Sequence, residues 1–223
     1  MAETATRGEQ TRALILDTAL RLFEEHGYER TTMRAIAAEA GVSVGNAYYY
    51  FDSKEHLIRA FYDHNAERHV AASRPVLDSE RDLARRLRGV LRAWADVNAP
   101  YHEFAGAFFK TAADPHGPMS PFSRESAPTR AQVTEIYREV VAGSDTKIPP
   151  ALRSELPNLL WLFNMGVVLY WVHDRSAGTA KTYELIDRTV PLLVRLIGLA
   201  RFRVMRGVLD DLLDLIRSLS GAT

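Results

Sequence analysis

Residues 31–57 read TTMRAIAAEAGVSVGNAYYYFDSKEHL, and the fold turns on how this stretch is parsed. Over residues 33–40, Ile36, Ala37 and Ala40 recur at helical spacing. Gly41 supplies a sharp turn, because glycine enters the left-handed conformation without a Cβ clash. Ser43 is placed to cap a second helix over 44–51, its hydroxyl accepting from an orphan backbone N–H. That helix is too short to be stable alone. Neighbours must therefore hold one of its faces, which leaves the other free, and a third helix opens after Ser53. A helix–turn–helix that reads DNA has this organisation.

Projection at about 100° per residue puts Ala47, Tyr50 and Phe51 on the side that packs against the first helix. The opposite side carries Gly45 and Tyr49, flanked by Val44, Asn46 and Tyr48. Gly45 lets backbone approach a nucleic-acid surface, Asn46 suits adenine in the major groove, and the tyrosine hydroxyls suit phosphate. Thr32 and Ser43 stand at helix starts, which favour anions. Arg34 lies on the polar side of the first helix, and Lys54 opens the third with a further positive charge.

The stretch resembles the DNA-binding segment of the tetracycline-repressor (TetR) family of bacterial transcription regulators. That family's pattern, roughly T-T-x-x-x-I-A-x-x-A-G-V-S-x-G-x-x-Y-x-H/Y-F-x-x-K-x-x-L, is matched by Thr31, Thr32, Ile36, Ala37, Ala40, Gly41, Val42, Ser43, Gly45, Tyr48, Tyr50, Phe51, Lys54 and Leu57. The resemblance implies an all-α chain. Residues 1–74 would form a three-helix DNA-binding domain, with helix 4 as connector, and 75–223 a larger helical domain for ligand binding and dimerisation. It further implies a dimer on a palindromic operator, acting as a repressor and released by a small apolar effector. The alternatives are an activator, or a DNA-binding dimer whose helical domain docks a protein or takes no ligand.

Composition limits other readings. The formal net charge of the 223 residues is zero, and acids outnumber bases in residues 1–70. Phosphate contact must then come from a few placed groups and helix ends rather than a basic domain. There is no cysteine, which excludes disulfides and thiolate sites and suits a cytoplasmic location. His64 and His69 do not share a helix face well enough for a zinc pair, and no Gly-rich phosphate loop or nucleophile elbow occurs. No catalytic residue, metal or cofactor is expected.

The rest of the chain is helical by periodicity. The first helix spans about 10–26 with Ile15, Ala19, Leu22 and Phe23 inward, preceded by a tail on which Arg7 is a candidate minor-groove arm. Helix 4 is expected to break at Pro75. Further helices fall near 80–97, 100–109, 127–141, 152–173, 179–199 and 202–219, with Pro191 expected to kink one or mark a start. The apolar run in the segment from Leu152 to His173 is too short to span a membrane. The resemblance places the dimer interface on residues 152–173 and 179–199, the last helix joining it or folding back. It also implies an apolar effector pocket, for which Trp94, His102, Phe104, Phe108, Trp161, Asn164 and Tyr170 are the candidates.

Overall fold

The computed structural model describes residues 6–103, 105, 106, 109, 117, 120–200, 207 and 211. Among these there are eight α-helices and no strand. They are α1 (Arg7–His26), α2 (Met33–Glu39), α3 (Val44–Tyr50), α4 (Lys54–Ser79), α5 (Leu83–Asn98), α6 (Ala127–Ala142), α7 (Pro150–His173) and α8 (Ala180–Leu199). The expected helix over 202–219 lies outside the described residues, Gly207 and Asp211 apart. The chain divides into two compact units, Met1–Ala66 with Pro100–Thr129 and Glu67–Ala99 with Arg130–Thr223.

The first unit is built on α1 to α3 and the start of α4. Ile15, Ala19 and Phe23 from α1 pack with Ile36, Ala37, Ala47, Phe51, Leu57 and Ile58, all almost wholly buried. Arg7 does not lie on a tail before α1. The Thr6 hydroxyl accepts from the Glu9 N–H at 3.3 Å while the Glu9 carboxylate accepts from the Thr6 N–H at 2.7 Å. This reciprocal capping box starts the helix at Arg7, so Arg7 sits in its first turn. Gly27, at φ +83°, ends α1. In the same unit Tyr101 stands edge-on to Phe61, with ring centroids 4.7 Å apart.

The second unit has its own core, drawn from Leu87, Val90 and Leu91 of α5, Ile136, Tyr137 and Val140 of α6, Leu156, Leu160 and Val167 of α7, and Ile186 and Val190 of α8. Arg86 is buried inside it, with four carbonyl bonds. Its Nη1 donates to Leu77 O and Glu80 O at 2.6 Å, its Nε to Val140 O at 3.0 Å, and its Nη2 to Glu139 O at 2.6 Å. One guanidinium thus satisfies carbonyls at the C-terminal ends of α4 and α6, where the helix dipole also favours a cation.

That clamp explains why the expected break at Pro75 does not occur. α4 continues through the proline to Ser79, although the ring removes one helical hydrogen bond. The turn beyond it is held from outside by Arg86 on Leu77 O. α5 also approaches closely there: a Cβ added to Gly89 would fall 2.5 Å from Val76 Cγ2. Helix α8 likewise runs through Pro191, which marks no start.

Between α7 and α8 the chain turns through Gly178 and Thr179, both with positive φ (59° and 53°). The buried Asp174 carboxylate secures the turn, accepting from Ser176 N and Oγ and from Thr182 N and Oγ1 at 2.6–2.9 Å. Burial alone would raise this carboxyl, but the four bonds carry it down to about 2. Among the described residues no helix is long and apolar enough to cross a membrane.

Candidate nucleic-acid interface

Each turn of the helix–turn–helix is fixed by a named local device. Thr32 caps α2 by accepting from Ala35 N at 3.1 Å. Gly41 takes φ +67°, allowing Val42 N to reach back to Ala37 O at 3.0 Å. Ser43 then caps α3 through Asn46 N at 3.1 Å. The two adjacent threonines divide the work. Thr31 is buried, and its hydroxyl is shared between Leu22 O and Gly27 O, whereas Thr32 is exposed at the helix start.

α3 presents the two faces that its sequence projection requires. Ala47 and Phe51 are fully buried and Tyr50 is partly so. Val44, Gly45, Asn46, Tyr48 and Tyr49 are exposed, Tyr49 to 80%. No atom lies within 4 Å of a Cβ built on Gly45, so this glycine leaves open space at the surface rather than filling a packing contact.

The candidates differ in what their side chains are already doing. Arg34, Asn46, Tyr48 and Tyr49 make no side-chain hydrogen bond or ion pair among the described residues and remain available to a ligand. Thr32 and Ser43 use a lone pair for capping but keep a hydroxyl proton to donate. Lys54 is committed: its Nζ donates to Tyr28 O at 2.7 Å and lies 4.2 Å from the Tyr28 ring centroid. The Tyr28 hydroxyl in turn donates to Glu55 at 2.9 Å. Arg21 is bound to Glu25 and Glu39, which ties α1 to the end of α2 and leaves one negative charge in excess there.

The effector-pocket candidates are distributed differently. Trp94, Trp161 and Asn164 belong to the second unit, where Asn164 is 1% exposed and Trp94 stands edge-on to Trp171 at 5.3 Å. Tyr170 is 40% exposed on α7, alongside Leu162 and Leu169. His102 belongs to the first unit, and Phe104 and Phe108 lie outside the described residues. Among other buried polar residues of the second unit, Ser73 and Arg86 were not singled out from the sequence, and His69 was weighed only as a zinc ligand. Their visible signal was the four-residue spacing of His69 and Ser73, which puts both on one face of α4.

Among the described residues, a capped helix–turn–helix with an exposed polar face has the organisation of a DNA-binding unit. Residues 15–61 match the description "Bacterial regulatory proteins, tetR family", and residues 86–219 match "Tetracyclin repressor-like, C-terminal domain". The chain belongs to the TetR family of transcriptional regulators. It is 40% identical over 80 residues to an uncharacterised HTH-type transcriptional regulator of Xanthobacter autotrophicus, covering 35% of this chain and 40% of that one. It is 35% identical over 78 residues to the regulator UidR of Escherichia coli K12, again 35% and 40% of the two chains. The matches thus span about two fifths of these relatives' length. Solved structures of similar fold include a putative TetR-family regulator of Syntrophomonas wolfei (TM-score 0.67, 20% identity, 84% of this chain and 96% of that one). FadR of Bacillus subtilis in complex with stearoyl-CoA is another (TM-score 0.63, 14% identity, 80% and 96%).

Proposed function

We propose that the chain is a repressor that binds a palindromic operator as a homodimer and is released by a small-molecule effector held in its helical domain. The observation that carries the reading is the face of α3, where Val44, Gly45, Asn46, Tyr48 and Tyr49 stand exposed on a helix otherwise fixed by Ala47 and Phe51. Asn46 reads a base edge, while Tyr48, Tyr49, Arg34 and the caps Thr32 and Ser43 hold phosphates; Lys54 steadies Tyr28 and the start of α4.

Dimerisation is supported by apolar side chains left exposed on the last two delineated helices. Leu162 and Leu169 of α7 and Leu192, Leu196 and Leu199 of α8 are each 44–62% exposed, and a second copy of the chain covers them. Two recognition helices then enter successive major grooves. One short helix offers few base contacts, so linking two raises effective concentration without new chemistry. α4 is one continuous helix that begins in the first unit and ends in the second, and its tilt sets the half-site spacing. The effector acts by binding the non-binding spacing more tightly than the binding one. Such a regulator works in the cytoplasm, beside the DNA it reads.

Selection of genomic fragments with the purified full chain, followed by footprinting and sedimentation, tests the reading. The expected result is a two-fold-symmetric site occupied by a dimer, with affinity falling about 10³-fold or more between 50 and 200 mM salt. A monomer on an asymmetric site, or binding insensitive to salt, overturns it. A dimer whose operator affinity no small molecule alters would favour a helical domain that docks a protein instead.

A further inference from the structure

The core of the second unit contains polar atoms that its own fold leaves unanswered. His69 is 1% exposed, and its Nε2 lies 3.0 Å from Val90 O. A carbonyl only accepts, so Nε2 carries the proton and Nδ1 is a bare acceptor. That Nδ1 has no partner among the described residues. One turn on, Ser73 is fully buried with its hydroxyl unpartnered, although a helical serine has a carbonyl one turn back as a ready acceptor. Tyr137 of α6 is fully buried with an unpartnered hydroxyl, and so is the Asn164 Oδ1 of α7.

These groups lie in or beside the one core of the second unit. Tyr137 and Val90, the partner of His69, are members of the same cluster of packed residues, as are Leu160, Trp161 and Val167 on the face of α7 that carries Asn164. Buried polar groups in folded proteins are nearly always satisfied, so a set of orphans on three helices signals a missing partner. The set is also electrically neutral. Burial holds the His69 imidazole uncharged and the Tyr137 phenol protonated. Arg86 is committed to four carbonyls, and Arg88 and Arg92 are paired with Asp187; the buried Arg88 Nε makes no hydrogen bond among the described residues but lies 3.5 Å from Asp187 Oδ1, which opposes its charge.

We infer that the second unit's core binds a small uncharged ligand bearing a hydroxyl-type donor and an oxygen acceptor: His69 Nδ1 and Asn164 Oδ1 receive the donor, and the Tyr137 and Ser73 hydroxyls give to the acceptor. An anionic ligand finds no free counter-charge in this set, and a purely apolar one leaves all four atoms unsatisfied. The inference deepens the effector reading and rests on it for where the ligand acts.

Phenol, toluene and benzoate share a ring and differ in the chemistry at issue, so they serve as probes of the full chain. All three tryptophans, Trp94, Trp161 and Trp171, lie in the second unit, so their fluorescence reports binding there. Phenol should bind about tenfold or more tightly than toluene, and benzoate should not compete. Tyr137→Phe should raise the thermal midpoint, since it deletes a buried unmade donor, and should erase most of the phenol preference while leaving toluene unchanged. Asn164→Leu should do the same independently. The inference fails if toluene or benzoate binds as well as phenol, or if phenol does not bind. It also fails if both variants keep the phenol-to-toluene ratio; a lowered midpoint in Tyr137→Phe with that ratio kept would identify a structural water instead. Operator binding separates the two claims. Phenol selectivity without any change in operator affinity keeps this site and sinks ligand release, whereas release by toluene or benzoate keeps ligand release and sinks this site.

Discussion

The two compact units solve opposite problems with the same helical material. In the first, Thr31 is buried, but both Leu22 O and Gly27 O take its hydroxyl. The groups left unanswered, Asn46, Tyr48 and Tyr49, face outward on α3. In the second unit the unanswered groups, His69, Ser73, Tyr137 and Asn164, face inward. A macromolecule as large as duplex DNA can be read only by a projecting face, while a small molecule gains from being enclosed. On the reading proposed above, each unit leaves its hydrogen-bonding capacity unspent on the side its partner takes.

The comparison breaks most visibly at Arg86. Arg86→Met keeps the aliphatic packing but leaves the carbonyls of Leu77, Glu80, Glu139 and Val140 without their donor. The expected loss is about 4 kcal/mol, the scale of removing one partner of a buried charged interaction. Tryptophan fluorescence, which reports the second unit alone, should show the shift in chemical unfolding. A variant as stable as the parent would show that those carbonyls find other partners.

Acid should also separate two buried groups of the second unit, His69 and Asp174. Burial pushes His69 down to about 4, against the opposing bond to Val90. Its ordinary value is about 6.5, so the unfolded chain takes up the proton first. Stability from this group is therefore whole above about pH 6.5 and falls by about 3 kcal/mol as pH drops towards 4. Asp174, carried down to about 2, contributes stability that is whole above the usual carboxylate range and is lost as pH falls through about 4 towards 2, so its midpoint lies below that of His69. Unfolding free energies measured across pH 4–7 should slope steeply in the parent and much less in His69→Gln.

How far these differences were legible in the sequence follows from the range of the forces involved. The two faces of α3 could be read because a seven-residue helix with a serine cap has one buried stripe, set by Ala47 and Phe51 at fixed spacing. α1 starts at Arg7, ahead of its first apolar stripe, because Thr6 and Glu9 stand at capping-box spacing and open the helix with polar residues alone. Pro75 misled for a different reason. A proline's local preference was outweighed by Arg86 and by the close approach of Gly89, contacts made by residues of another helix. Lys54 looked free because its acceptor, Tyr28 O, lies 26 residues earlier in the chain. The inward polar set was invisible for the same cause. Spacing put His69 and Ser73 on one face, but only packing showed that this face is buried.

At the outward face the expected effects are smaller and split by what each side chain does. Asn46→Ala should cost about 2 kcal/mol at the preferred site and relax preference at one or two base pairs. Tyr48→Ala should cost less and weaken all sequences about equally, because a phosphate contact carries no sequence information. Site selection with each variant separates these outcomes. An unchanged selected-site logo for Asn46→Ala, or a change confined to one position for Tyr48→Ala, reverses the assignment.

The smallest effect gives the sharpest comparison, because the same capping device occurs in both units. Ser43 caps α3 through Asn46 N, and Asp82 caps α5 through Arg85 N at 2.9 Å. Replacing either by alanine should cost about 1 kcal/mol of stability. The consequences for operator binding should differ. α3 has seven residues and little helical stability of its own, so loss of its cap loosens the face carrying Asn46 and Tyr48. α5 has sixteen residues, with Leu87, Val90 and Leu91 fully buried along it, and should hold its place without the cap. Ser43→Ala should therefore weaken operator binding several-fold at unchanged site preference, whereas Asp82→Ala should leave it alone. If both variants weakened binding equally, the loss would track global stability, and the cap of α3 would have no special part in holding the reading face.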